Sequence, residues 1–332
     1  MSNALILFLI IFCIAALIAL LFFAPKAVRT AVGKVKGEPK TGKKSKPSVF
    51  EIVIYPIIML YCILMIYLIV WAFICSLKSG DGWAFEHLGL ETDWQFSNYA
   101  VAFSKIRVTS GNVQANIFEC LINGFVYSAG AAFFQLMATV MVAYCTARFN
   151  CTLSRIIHSV VIVVLVLPIA GNLASQVEIA QMFHAYDSMI GMFVMKFGYS
   201  NIYYLIFYAT FKALPKDYME SAYMDGANHL VIFLKIMLPL VSTLCGAIFL
   251  LYFINYWNDY QFPMIFMPSL PTASYALYLF IDPNGSGGSI EVAQNSALRI
   301  TAGFLVFIPI FIIFMLFKDK IMGNLQTGGI KE

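Results

Sequence analysis

The stretch Glu220 to Leu240, ESAYMDGANHLVIFLKIMLPL, opens with carboxylates and small residues, passes through Gly226 and Asn228, and ends in an apolar run. Polar groups and a glycine break are out of place inside hydrocarbon, where an unsatisfied backbone or side-chain group is costly. Apolar stretches flank the segment on both sides. It therefore reads as a surface loop joining two membrane spans.

The composition agrees. Of 332 residues, 61% are hydrophobic and 11% are charged, against about a quarter charged in soluble domains. The chain is expected to be an all-α polytopic membrane protein. Intervals nearly free of charge mark the spans, since crossing the bilayer takes about 20 apolar residues and a central charge is expensive there. The intervals run Met1 to Ala24, Ile52 to Ser76, Cys120 to Ala147, Ile156 to Val177, Met189 to Phe211 interrupted by Lys196, Ile236 to Asn258, and Ile300 to Phe317.

Basic residues orient them, because cytoplasmic loops retain Lys and Arg. Between the first two spans, Lys26, Arg29, Lys34, Lys36, Lys40, Lys43, Lys44 and Lys46 face one acid, Glu38. This linker, residues 25–49, is expected in the cytoplasm as a low-complexity tether touching lipid headgroups, with the N-terminus outside. Alternation then places Arg148, Arg155, Lys212, Lys216, Lys235 and the C-terminal tail inside. Asp81, Glu86, Glu91, Asp93, Glu178, Asp187, Asp282 and Glu291 fall outside. A cleaved signal peptide is the other reading of residues 1–24, but they lack a basic leading region and a small-residue cleavage site.

Chemistry-bearing clusters are few. The seven cysteines form no CxxC pair and the four histidines no metal-ligand spacing, so neither a metal nor a cofactor is expected. No phosphate loop of the form GxxxxGK[ST] occurs; Gly285 to Gly288 leads into Ser and Ile. Nothing suggests a nucleic-acid partner. The segment between Leu77 and Ile117 is long for a connection and rich in aromatics, which predicts some folding on the outer face. Asn123, Ser128, Gln135, Asn172, Gln176, Asn255 and Asn258 are polar positions within spans, where helix-to-helix hydrogen bonding competes with a ligand role. Tyr252 and Trp257 could stack on a sugar or anchor at the interface. No substrate-binding residue is assigned.

The opening segment can be built locally. Pro215 suits a first helical turn, Asp217 and Glu220 complement the dipole of a short helix to Met224, and Gly226 permits a left-handed turn. Asn228 caps the helix that follows. A helix-turn-helix at the cytoplasmic face results. A helix merely resting on lipid would carry a basic polar face, whereas these polar residues are acidic or small.

Glu220, Ala222, Gly226, Ile236, Leu238 and Pro239 match the EAA signature of ABC importer permeases, E-A-A-x3-G-x9-I-x-L-P, with Ser221 replacing the second-position Ala. Asp225, Ala227 and Phe233 fit its sugar-importer form. Asn98-Tyr99, Ala143-Tyr144, Arg148-Phe149, Trp257-Asn258-Asp259, Pro263 and the tail GNLQTGGIK, residues 323–331, resemble permeases of the maltose and multiple-sugar group. The resemblance covers the chain from about Glu51. It implies a six-helix permease core over residues 50–332, with 215–240 as coupling segment, preceded by an extra N-terminal transmembrane helix.

The resemblance also implies a role: a non-enzymatic subunit of a type I ABC importer in a bacterial cell membrane, moving a carbohydrate inward. Two copies of a cytoplasmic ATPase, a second homologous permease and an extracytoplasmic solute-binding protein are its implied partners. Glu220, Ser221, Ala222, Asp225, Gly226, Ala227 and Pro239 are the residues it assigns to ATPase coupling. The alternatives are a permease for a non-sugar solute and an ion-coupled secondary transporter. The latter would need intramembrane carboxylates and repeats that the spans do not display.

Overall fold

The computed structural model describes residues 49–79, 94–110, 113–167, 171–198, 201–282 and 295–325. The first candidate span, the basic linker, the glycine-rich stretch 283–289 and the last residues of the tail lie outside them. The described chain falls into two compact units, one ending at Asn98 and including Ser296–Thr301, the other containing Tyr99–Asn295 and the residues from Ala302 onward.

In the first unit, α1 (Val49–Ser76) carries a single charged residue, Glu51 near its start, and most of its large side chains are exposed. This is the inverse of a soluble core and suits a hydrocarbon surround. Its C-terminus is fastened by polar groups that are nearly inaccessible: Asn98 Nδ2 donates to the carbonyls of Ser76 at 3.1 Å and Lys78 at 2.8 Å. Thr301 Oγ1 donates to the same Ser76 carbonyl at 2.8 Å. Orphan carbonyls at the helix end are thereby satisfied.

The second unit begins within α2 (Ser97–Lys105), followed by the antiparallel hairpin β1 (Arg107–Ser110) and β2 (Val113–Asn116), with Arg107 opposite Asn116. The expected folding of this segment is thus present where it is described. The longest helix among the described residues, α3 (Ile117–Arg148), starts where the Glu119 carboxylate accepts the Asn116 N–H at 3.2 Å. Gly124, Ser128, Ala131, Ala132, Ala138 and Ala143 lie on its buried side beside larger residues such as Tyr127, Leu136 and Tyr144, and small residues of this kind let helix backbones approach closely in membranes. There α3 packs along α7 (Ile202–Ala213) and α10 (Ser242–Asn258).

Between these lie α4 (Thr152–Val166), α5 (Leu173–Met182) and α6 (Met189–Met195). Then come α8 (Asp217–Met224) and α9 (His229–Leu240), which carries a π-helical turn at Phe233–Met237. After α10 come α11 (Gln261–Phe266), α12 (Ala273–Ile281) and α13 (Ser296–Leu325). Side-chain caps set several starts: Asn201 Oδ1 accepts the Tyr204 N–H and Thr272 Oγ1 that of Tyr275.

Three of the expected spans are each realised in one long helix, within α1, α3 and α13. Three are not. The interval Ile156 to Val177 divides into α4 and α5, because Pro168 cannot donate a helical hydrogen bond and Gly171 adopts φ +81°. Met189 to Phe211 divides into α6 and α7 around Lys196 and the Asn201 cap. Before the last break, α9 meets α10 at 78°, so Ile236 belongs to the arm preceding the bend. Pro239 and the π turn account for it, both being established sources of kinks.

Candidate functional site

Eight residues make α8, too few to persist alone in water. Tertiary anchoring supplies the difference. Met219 and Ala222 face the core of the second unit, at 9% and 5% exposure. Tyr218, Glu220, Ser221, Tyr223, Met224 and Asp225 remain exposed on the other sides. The helix then stops in a Schellman motif: Gly226, at φ +76°, donates to the Tyr223 carbonyl at 2.9 Å, and Ala227 to the Ala222 carbonyl at 3.0 Å. Asn228 Oδ1 accepts the Val231 N–H at 2.8 Å and starts α9 at once.

Both ends of this helix-turn-helix are tied to the C-terminal end of α3. On the entering side, Arg148 Nη2 donates to the Leu214 carbonyl at 2.9 Å; a hydrogen bond to a charged group contributes about 1.5–3 kcal/mol. On the leaving side, the Phe149 ring meets His229 edge-on at 5.0 Å, and Tyr223 Oη lies 2.5 Å from His229 Nδ1. Tyr144 stands between the two ties, its ring 5.5 Å from Phe211, 4.9 Å from Phe233 and 6.0 Å from Phe149. Each aromatic pair adds about 0.5–1.5 kcal/mol beyond its buried area. These contacts hold the loop against α3, α7 and α9.

The assigned coupling residues are placed unequally. Ser221, Ala222 and Asp225 converge with Asp217, Tyr218 and Ile236 on an open hollow of 360 Å³. Ala222 is its buried floor, while the Ser221 hydroxyl is spent on the Asp217 carbonyl at 2.7 Å. Glu220 and Gly226 are exposed beside the hollow and Ala227 is half-buried in the turn. Pro239 lies apart, exposed in the last turn of α9, where it shapes the bend. Among the described residues no ion pair involves Asp217, Glu220 or Asp225, so the exposed face is acidic.

The polar positions within spans mostly serve the fold. Asn123 Nδ2 donates to the Pro271 carbonyl, Ser128 to Gly124, and Asn258 to Ile254. Gln135 accepts from Tyr256 Oη at 2.5 Å, and Trp257 Nε1 donates to the Val306 carbonyl. Tyr252 and Trp257 are buried, at 4% each, not at an interface.

A second polar centre escaped the sequence reading. Lys196 Nζ lies 4.0 Å from Asp259 Oδ2 and 3.1 Å above the Phe262 ring. Asp259 also accepts from Tyr127 Oη at 3.3 Å and from the Phe262 N–H at 3.2 Å. The pair joins the break after α6 to the end of α10. Lys196 was visible as an interruption of a hydrophobic interval, but its partner 63 positions away was not. Among the described residues no group of three or more His, Cys, Asp or Glu could hold a metal ion.

The family described as "Binding-protein-dependent transport system inner membrane component" matches residues 135–326. The chain is 25% identical over 289 residues to the arabinooligosaccharides transport system permease protein AraQ of Bacillus subtilis (strain 168), covering 86% of this chain and 97% of that relative. It is 22% identical over 281 residues to the diacetylchitobiose uptake system permease protein NgcG of Streptomyces coelicolor, covering 84% and 88%. Among solved structures, that of a bacterial ABC transporter involved in the import of the acidic polysaccharide alginate contains a chain of similar fold. That chain matches with TM-score 0.67 and 20% identity, over 84% of this chain and 99% of the other.

Proposed function

Because this chain belongs to the binding-protein-dependent transport system inner membrane component family, we propose that it carries an oligosaccharide inward across the bacterial cell membrane, driven by ATP hydrolysis in a partner subunit. The braced helix-turn-helix around Gly226 is the observation that carries the coupling. A rigid protrusion with an acidic, unpaired outer face suits a groove lined with basic groups, and rigidity is what coupling requires. If the ATPase binds this surface differently in its two nucleotide states, that difference can shift the permease only through an element that does not yield.

In this reading Glu220, Ser221, Asp225 and Gly226 form the ATPase-facing surface, with Ala222 as its floor and Ala227 and Pro239 setting the turn and the bend. Two ATPases sit below, a second homologous permease completes the pathway, and a solute-binding protein delivers cargo from outside. The N-terminus is external and the C-terminus cytoplasmic. The named cargoes of the similar proteins favour a carbohydrate: arabinooligosaccharides, diacetylchitobiose and, for MelC of Bacillus subtilis, melibiose, raffinose and stachyose. Similarity to sn-glycerol-3-phosphate permeases reaches 28% identity but over 44% of this chain, which makes a phosphorylated polyol the second reading.

Reconstitution of the chain with its ATPase, companion permease and binding protein in proteoliposomes tests this directly. ATP-dependent accumulation of a labelled oligosaccharide, and not of glycerol 3-phosphate, is expected. Uptake of glycerol 3-phosphate alone would transfer the assignment to the second reading, and uptake without ATP would contradict both.

A further inference from the structure

We propose that the cavity at the ends of α3, α4 and α7 binds the phosphate group of an anionic phospholipid whose acyl chain lies along α4. The cavity, of 420 Å³, is lined by Arg155, His158 and Lys212 together with Asn150, Ser154 and Tyr208, and no acid lines it. Among the described residues neither Arg155 nor Lys212 is ion-paired. Two uncompensated cations in a concave, hydroxyl- and amide-lined space are the chemistry of a phosphate site, and basic pockets between transmembrane helices on the cytoplasmic side suit anionic headgroups.

The walls are held in place by contacts within the chain. The His158 ring stacks on Tyr208 with centroids 4.1 Å apart, and Lys212 Nζ reaches Tyr208 Oη at 3.4 Å. A run of hydrogen bonds fixes the histidine. Thr146 Oγ1 donates to the Val142 carbonyl and so accepts from Tyr204 Oη at 2.8 Å, which leaves that phenol oxygen to accept from His158 Nδ1–H at 3.0 Å. The proton on Nδ1 is thereby set, and Nε2 stays outside this run.

The lipid source rests on what borders the cavity. From Arg155 at its mouth, Ile162 and Val166 follow at helical spacing along the same face of α4, at 42% and 77% exposure. This apolar stripe beginning at a basic pocket matches a molecule with an anionic head and a hydrocarbon tail, which free phosphate is not. Lys212 stands two residues before Leu214, the point where Arg148 braces the arm carrying α8. A bound headgroup would stiffen that arm. The proposal does not depend on the identity of the transported solute.

Native mass spectrometry of the full transporter, released from nanodiscs containing phosphatidylglycerol and phosphatidylcholine, measures retention. Phosphatidylglycerol should be retained in preference to phosphatidylcholine, and Arg155→Gln/Lys212→Gln should lower that retention at least about fivefold. Ile162→Ser, which leaves the cations intact, should lower it as well, and millimolar inorganic phosphate should not displace the lipid. Lys212→Gln alone serves if the double variant does not assemble. Equal retention by wild type and variants would overturn the proposal. So would displacement by inorganic phosphate with no effect of Ile162→Ser, which assigns the cavity to the free anion. Blockage of the cavity by the ATPase irrespective of lipid would assign it to a protein contact.

Discussion

Gly226 concentrates the account at the scale of one residue. Its φ of +76° is a conformation in which most side chains are strained, by roughly 1–2 kcal/mol, although Asn and Asp tolerate it better. A Cβ built there meets nothing within 4 Å, so a substituent has open space as far as this chain is concerned. Loss of coupling on substitution therefore reports on a partner. Gly226→Asp is expected to abolish ATP-driven uptake while the purified chain melts within a few degrees of wild type; Gly226→Asn, isosteric and uncharged, should retain more of it. Unchanged uptake in Gly226→Asp would remove this residue from the contact. The turn was legible because few residue types can occupy it: a left-handed glycine, then an asparagine cap, then apolar residues. The burial of Ala222 was not legible, since a small side chain serves equally as floor of a partner's groove or as core of its own chain.

Among the elements, the helix-turn-helix gains its rigidity from α3. The bond from Arg148 to the Leu214 carbonyl spans 66 positions, and no local pattern announces it. Arg148→Ala removes the bond and leaves a carbonyl without that donor, an expected loss of about 1–3 kcal/mol of local stability. Hydrogen exchange should show it as roughly tenfold or greater deprotection of the amides from Met219 to Ala227, with α1 unaffected. Exchange unchanged in that stretch would mean that the aromatic ties through Tyr144 and Phe149 suffice alone. Spans were legible in proportion to their continuity. α1, α3 and α13 are long uninterrupted apolar runs, whereas hydropathy averaged across Pro168, Gly171 and Lys196 hid two breaks, and the bend at Pro239 was concealed by apolar residues on both of its sides. The hairpin at 107–116 carried no strong alternation and went unread.

For the whole molecule, topology decides which surfaces an ATPase can reach. The basic linker predicts that Lys36 is shielded from a membrane-impermeant amine reagent in intact cells and becomes reactive once the membrane is opened. Labelling of intact cells would invert the orientation and put the Gly226 turn on the wrong side. The chain's membrane character was plain from composition, and its mode of energisation from one motif. Cargo identity was not, because the polar groups inside the described helices mostly satisfy one another, as Gln135 and Tyr256 do.

The claim that α8 is the docking lever is tested most directly by a photocrosslinking residue at position 221, replacing the exposed Ser221, in the assembled transporter. The account predicts a covalent adduct with the ATPase whose yield changes between ATP-bound and nucleotide-free states, and no such adduct from position 153 on α4. Adducts with lipid alone, or an ATPase adduct from position 153 and none from 221, would contradict it.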